Sequence, residues 1–420
     1  MLLADERDSE DEDEEKTSLL EKIQASFPFL MAWLYKHRNF TYKDMNADEV
    51  QKFVGEVADY LNHAVDTSIR EVPMPEVSVQ RLKESNYVFS GIKEFHELNE
   101  AFPSMVDDNN ELRPFNDFLN DVQKINNTYN GSYLRTEYNF ARQSSLAAAR
   151  WKQFEKDGDR YNLQYRTAYD DRVRTSHRKL EGITLPIASK FWDDYFPPNG
   201  WNCRCTVVQV RKDKYPESDE RKALDDGSQA TAGKHQEMFK FNPGKAMTTF
   251  PAYNAYTIRK CKNCKYNGQV KLAADISDNE LCGACKEARE TANVQMQKYY
   301  KQNERNLRNL LQGKYVFEDI HFNGKKGIFV KNSITENLSK GPLYFAKSDV
   351  LRNIDKYLSS YEDYKWEDNT KPNKKEEMKG CHVFIATYKG SETEFVGRKM
   401  ELKFETFRDG VIKFHFIKFI

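Results

Sequence analysis

"WDDYFPPNGWNCRC", running from Trp192 to Cys205, places two prolines, an Asn-Gly pair, two tryptophans and a Cys-Arg-Cys in one short stretch. No helical or strand period accommodates that density, because proline fixes φ and removes a backbone donor, and Asn-Gly favours a turn. The stretch reads as a rigid, built loop. The text around it, Leu163 to Val210, begins and ends with strand-like alternation, and Gly182, Pro186, Pro197, Pro198 and Gly200 supply turn chemistry between. Residues 157–212 are therefore expected to form a small α+β domain.

Upstream, residues 25–156 read as helical. From Phe29 to about Ser68, Phe29, Trp33, Phe53, Val57 and Leu61 recur at spacings that share a face, and "VPMPEVS" (Val72 to Ser78) stops any helix. A second block opens at Pro114, a favourable first-turn residue, and lines up Phe115, Phe118, Leu119, Val122 and Ile125. After "NNTYNGS" the stripe resumes with Leu134, Tyr138, Ala141, Ser145 and Ala148, ending near Trp151 and Phe154. Two helices joined by a short polar turn predict an antiparallel hairpin. The acidic block "DERDSEDEDEE" (Asp5 to Glu15) has nothing apolar to bury and predicts a disordered tail over 1–24.

Downstream, residues 213–256 are polar with scattered Gly and Pro and read as a loop-rich linker. A cysteine-rich module follows over 257–290, then a C-terminal α+β domain over 291–420. In that last domain Thr291 to Leu311 and Ser348 to Tyr361 are helix candidates, and "KWEDNTKPNKKEEMKG" is a charged loop. "CHVFIATY", "TEFVGRKMELKFETF" and "VIKFHFIKF" are antiparallel strand candidates. Arg408-Asp409-Gly410 is a hairpin turn, and alternation puts Ile412, Phe414 and Phe416 on one face with Lys413 and His415 on the other. The fold class is α+β and multidomain.

The 420 residues are too many for one ordinary core. With 39% hydrophobic and 31% charged residues, the chain has the composition of a soluble, polar protein, and no run of about eighteen apolar residues suggests a membrane span. The acidic N-terminus lacks the basic region of a signal peptide, so a cytosolic site of synthesis and use is expected. Lys plus Arg balances Asp plus Glu at 65 each, so net charge predicts no polyanionic partner. After Cys285 the count is 26 Lys/Arg against 19 Asp/Glu, a modest excess compatible with nucleic-acid contact by the C-terminal domain.

Seven cysteines, an odd number, argue against a closed disulfide framework. Cys261-x-x-Cys264 and Cys282-x-x-Cys285, seventeen residues apart, fit a four-thiolate structural zinc site with no open position for water. A second group, Asp170, His177, Cys203 and Cys205, has two readings: a further metal site, or a core Cys205 and a hydrogen-bonded His177 with Arg204 paired to an acid. A third collects His321, His382 and His415 with Lys413, Arg398 and Ser391. His382 and His415 as base or acid, with Lys413 or Arg398 on the phosphate, would suit ribonuclease chemistry; exposed strand histidines are the plainer reading.

"YRTAYDDRVRTSHRKLEGITLP" followed by "FWDDYFPPNGWNCRCTVVQV" resembles the head-morphogenesis minor capsid proteins of tailed bacteriophages, the phage Mu F-type family. "FSGIKEF" and "YNGSYLRTEYNFARQSSLAAARW" resemble the helical region that precedes the motif in versions from Bacteroidetes phages and prophages, so the resemblance covers roughly Val88 to Val210. Arg166, Asp170, Arg174, His177, Gly182, Pro198, Cys203, Arg204 and Cys205 match the recurrent positions of the family, where their role is mainly structural. The resemblance implies a low-copy virion protein, present in the host cytoplasm during assembly, that meets the portal protein and other head proteins in capsid assembly or DNA packaging. Such proteins often carry a variable C-terminal extension. A barnase- or RelE-like ribonuclease toxin there is the alternative the resemblance leaves open.

Overall fold

The computed structural model describes residues 2–233, 236–251, 254–259, 283–338, 343–369, 377–390, 392 and 395–420. They fall into two compact units, Met1–Met74 with Ser78–Val294, and Pro75–Val77 with Gln295–Ile420. The architecture is α+β, with a helical N-terminal part and a C-terminal sheet in which antiparallel pairs predominate.

Unit 1 is built on helices α1 (Leu2–His37), α2 (Asp48–Glu71), α3 (Glu76–Ala101), α4 (Phe115–Asn126) and α5 (Leu134–Asp157). In α2 the acidic residues Asp48 and Glu49 sit in the first turn and Arg70 in the last, as the helix dipole favours, while Val50, Phe53, Val57 and Leu61 are buried. The Val-Pro-Met-Pro stretch separates α2 from α3 as expected. Phe29 does not join its stripe: it is 74% exposed, and Phe27, Leu30, Met31 and Leu34 form the inward face of α1. The acidic block lies inside α1 rather than in a disordered tail. Glutamate is a good helix former, and Glu12 pairs with Arg70 at 3.0 Å.

The expected hairpin is absent. Asn127 to Tyr133 continue the helix as wide π-type turns that join α4 to α5 in one run. Physical compensation for that wide segment comes from side chains. The buried Asn130 donates to both carboxylate oxygens of Glu97 at 2.9 and 3.0 Å, and Lys93 donates to the Tyr129 carbonyl at 2.7 Å. Lys93 also donates to Glu137 at 2.6 Å, an ion pair with both side chains buried. Burial, opposed by Lys93 and the Asn130 hydrogen bond, pushes the Glu97 carboxyl up to about 7.

After α5 come strands β1 (Asn162–Arg166), β2 (Thr184–Pro186) and β3 (Thr206–Val210), antiparallel in the order β2-β1-β3, with the short turns α6 (Thr175–Arg178) and α7 (Phe191–Asp194) between them. Tyr165 faces Val207 and Leu163 faces Leu185 across the ladder. The segment read as a linker instead contains α8 (Glu220–Ala230), α9 (Pro243–Ala246) and α10 (Ala255–Arg259), and sends Met238, Phe239, Phe241 and Phe250 into the helical core. Phe250 stacks on Phe89 at 3.7 Å. Isolated aromatics without a period hid that packing. Gly244 lies so close to α5 that a β-carbon would sit 2.2 Å from the Trp151 side chain.

Helix α11 (Gly283–Leu311) contributes its first residues to unit 1 and the rest to unit 2. Cys285 is buried on it; Cys261, Cys264 and Cys282 lie outside the described residues. Unit 2 adds β4 (Val316–Glu318), β5 (Lys326–Ile328), α12 (Lys331–Asn337), α13 (Tyr344–Arg352), α14 (Ile354–Ser359), β6 (Asp363–Asp368), β7 (Met378–Thr387), β8 (Lys399–Phe407) and β9 (Ile412–Phe419). Their sheet runs β4-β5-β9-β8-β7-β6, with β5 and β9 parallel. The Asp-Gly turn forms, with Gly410 at φ +87°. The expected alternation in β9 fails beyond Phe414: Phe404 faces Phe414 and Lys403 faces Phe416, so His415 is a bulged residue and Phe416 changes face. Asn337 stitches the bulge, donating to the His415 carbonyl at 2.9 Å and accepting from the Ile417 amide at 2.7 Å.

Replacing Lys93 with Met would leave Glu137 buried without its cation. A loss of about 3–5 kcal/mol is expected for unit 1, read as a lower urea midpoint; an unchanged midpoint would contradict the pairing.

Candidate metal centre and signature loop

The Trp192–Cys205 loop lies between α5 and the three-stranded sheet, and aromatic contacts fix both of its ends. Phe196 meets Trp151 edge-on at 5.1 Å, and Trp201 meets Phe140 at 5.0 Å and Phe239 at 5.4 Å. Trp192 is fully buried, and its indole N–H donates to the Pro186 carbonyl at 3.1 Å. The Pro197–Pro198 peptide is cis. Next to it Asn199, 0% exposed, accepts from the Tyr165 hydroxyl at 2.9 Å. That bond ties the loop to the middle of β1. Gly200 passes against the Arg174 guanidinium, 3.2 Å from where a β-carbon would lie, and Arg174 donates to the Trp201 carbonyl at 2.7 Å.

Asn202 turns the chain with φ +56°, a left-handed conformation that asparagine tolerates. The Cys-Arg-Cys that follows sends its side chains to alternate sides. Arg204 points outward and grips Asp170 through both guanidinium nitrogens, one of them at 2.7 Å, and Asp170 also accepts from the Arg172 amide at 3.0 Å. The Arg204 hydrogen bonds hold the Asp170 carboxyl well below the usual carboxylate range. Asp170 is thus an ion-pair partner, with its charge spent on Arg204. On the other side Cys203 and Cys205 turn inward to His177, which α6 presents. Both sulfurs lie 3.7 Å from the His177 Nδ1, and all three side chains are buried.

The structure therefore contains parts of both readings of this group: the arginine–acid pair, and a His-Cys-Cys cluster whose ligand atoms lie within 4.8 Å of one another. The thiols are electrostatically unequal. The contact between the two sulfurs, with His177 beside Cys203, lowers the first deprotonation of the pair and raises the second. Among the described residues it is the one group of three or more His, Cys, Asp or Glu with this convergence.

The remaining motif residues support this arrangement. Arg166 pairs with Glu181 at 3.5 Å, and Glu181 accepts from the Thr167 amide at 2.5 Å. Gly182 has φ +78° and closes the turn back to β1 with its amide on the Tyr165 carbonyl at 2.9 Å. The sequence reading missed Tyr165, Asn199 and Glu181. Asn199 had a legible signal, since a polar residue locked between Pro-Pro and Gly has little freedom to reach water. Tyr165 and Glu181 look like ordinary strand and turn residues.

The histidines of unit 2 are arranged differently. His382 is buried on β7, bonded to the Tyr364 hydroxyl at 3.0 Å, and the His321 ring stacks on Tyr364 at 3.5 Å. Burial, with His321 nearby, pushes the His382 imidazole down to about 4. His415 lies on β9, on the far side of β8, 3.6 Å from Glu405. Lys413 sits over the Phe407 ring at 4.8 Å and Arg398 over Phe395 at 5.1 Å. Among the described residues no contact joins His382, His415, Lys413 and Arg398 into one cluster, and Ser391 lies outside them.

Two outcomes follow from these contacts. Tyr165→Phe removes the donor to a fully buried Asn199 oxygen and is expected to cost about 1–3 kcal/mol, seen in urea unfolding; an unchanged midpoint would mean that water replaces the hydroxyl. A neutral His382 favours the fold above its ordinary value of 6.5, and this contribution is lost as pH falls from 6.5 towards 4. Wild type should therefore lose melting temperature between pH 7.5 and pH 5 relative to His382→Gln, and parallel pH profiles would refute the assignment.

Residues 114–208 match the family model described as phage Mu protein F like protein. The putative capsid assembly protein F of Escherichia phage Mu is 37% identical over 75 residues, 18% of this chain and 17% of that protein. The Mu-like prophage FluMu F protein of Haemophilus influenzae is 33% identical over 75 residues, 18% of each chain. The chain thus spans less than a fifth of either relative. No solved structure matches it. No helix among the described residues is long and apolar enough to cross a membrane. Residues 114–208, which hold α4, α5, most of the three-stranded sheet and the His-Cys-Cys loop, are thus similar to the phage Mu F-like proteins.

Proposed function

We propose that this chain is a minor head protein of a tailed phage or prophage, acting with the portal protein and other head proteins in capsid assembly or DNA packaging. It would be carried in the virion and be present in the host cytoplasm while heads form. The observation that supports this most is the match of residues 114–208 to the Mu F-like family, together with the capsid-assembly description of the phage Mu relative. The Tyr165 hydroxyl bonded to the fully buried Asn199, with Trp192 buried alongside, ties the loop of that region to its sheet. A structural zinc held by Cys261, Cys264, Cys282 and Cys285 forms part of the proposal.

The test is genetic and biochemical. In a phage or prophage that encodes the chain, an in-frame deletion of residues 114–208 is expected to reduce DNA-filled heads by at least about tenfold, with rescue by the intact gene supplied in trans. The protein should be found in purified particles and should co-purify with the portal protein. Normal infectivity of the deletion, with no copy of the chain in particles, would sink the proposal.

A further inference from the structure

We propose that His177, Cys203 and Cys205 form a metal site for a zinc-class divalent cation, separate from the four-cysteine motif, with a solvent molecule as fourth ligand. A tetrahedral zinc with Zn–S of about 2.3 Å and Zn–N of about 2.0–2.1 Å holds its ligands about 3.5 Å apart for N···S and about 3.8 Å apart for S···S. The His177 Nδ1 lies 3.7 Å from each sulfur, and the three ligand atoms all fall within 4.8 Å of one another. The two N···S distances are thus within about 0.2 Å of those around a tetrahedral zinc.

The surroundings fit the same cation. Two thiolates and a neutral imidazole around a divalent ion make a site of zero net charge, which a buried position accepts. Asp170 is engaged by Arg204 and Glu181 by Arg166, so those two ion pairs add no net charge beside the site. Soft sulfur with imidazole selects zinc over magnesium or calcium, which take oxygen. All three residues line a small cavity of about 10 Å³ beside Arg172 and Arg174. That is room for about one water, and it supplies the fourth position that the protein itself leaves open. Binding displaces the thiol protons to solvent, and the ion then links α6 to the start of β3 by bonds that neither element otherwise makes.

The full chain, purified without added metal and without chelator, is compared with its Cys203→Ser/Cys205→Ser and His177→Gln versions. Elemental analysis is expected to show about one fewer zinc per chain in each variant, whatever the four-cysteine motif holds. Cobalt loading of the wild type should give thiolate charge-transfer and tetrahedral ligand-field bands that weaken in both variants. If a variant does not fold, as judged by circular dichroism, the wild type alone decides: chelation should raise alkylation of Cys203 and Cys205, measured by peptide mass, and added zinc should reverse it. Equal metal content in all three proteins would overturn the proposal and leave a hydrogen-bonded trio. So would alkylation indifferent to chelator, or a Cys203–Cys205 disulfide in freshly purified protein.

Discussion

The alternation of side chains in Cys203-Arg204-Cys205 is the constraint on which the Mu F-type region depends. In extended backbone, neighbouring residues point to opposite sides. Once Arg204 is committed outward to Asp170, both sulfurs must point inward to His177. The exposed ion pair contributes little stability by itself. Its effect is on direction: with Arg204 held outward, the cysteines on either side of it turn inward.

A three-stranded sheet of such short strands buries too little to stand alone. Helix α5 supplies the missing layer. Phe140 and Trp151 are eleven residues apart, close to three helical turns, and therefore share a face. They lie about 16 Å apart along the axis, and they receive Trp201 and Phe196 respectively. Phe196 and Trp201 are five residues apart, with a maximum backbone reach of about 17 Å. The loop must stay open along α5 for both rings to arrive. Asn199, which accepts from the Tyr165 hydroxyl and donates back to the Phe196 carbonyl, fixes the loop between those two rings, which accounts for the residue density of this stretch.

What could be read from the sequence was whatever is encoded locally. The apolar period of α2 and α4, the proline stop after α2, the Asp-Gly hairpin and the loop character of Trp192–Cys205 all follow from neighbours within a few positions. What escaped depends on partners far along the chain. Asn127 to Tyr133 carry turn-forming residues, yet they stay helical because Asn130 meets Glu97 and Lys93 meets the Tyr129 carbonyl. The bulge at His415 needs Asn337, and the burial of Phe250 needs Phe89. At the candidate site the residue types were legible and their division was not. Asp170 and His177 lie seven positions apart, and the outward direction of Arg204 separates the ion pair from the thiol cluster.

The two groups of histidines show how context decides chemistry. His177 faces two sulfurs at 3.7 Å, and two thiolates with an imidazole are the donor set that borderline-soft cations prefer. His382 faces a tyrosine hydroxyl, with tryptophan and phenylalanine edges around it and its own basicity suppressed by burial. A neutral, enclosed imidazole of that kind fixes strand β7 against β6 through Tyr364, whereas proton transfer at neutral pH calls for a group poised near that pH. Among the described residues, the cluster of imidazole with two sulfurs lies in the Mu F-like region. His382, one of the two strand histidines of unit 2 that the sequence offers for acid–base chemistry, is bonded to Tyr364 within its sheet.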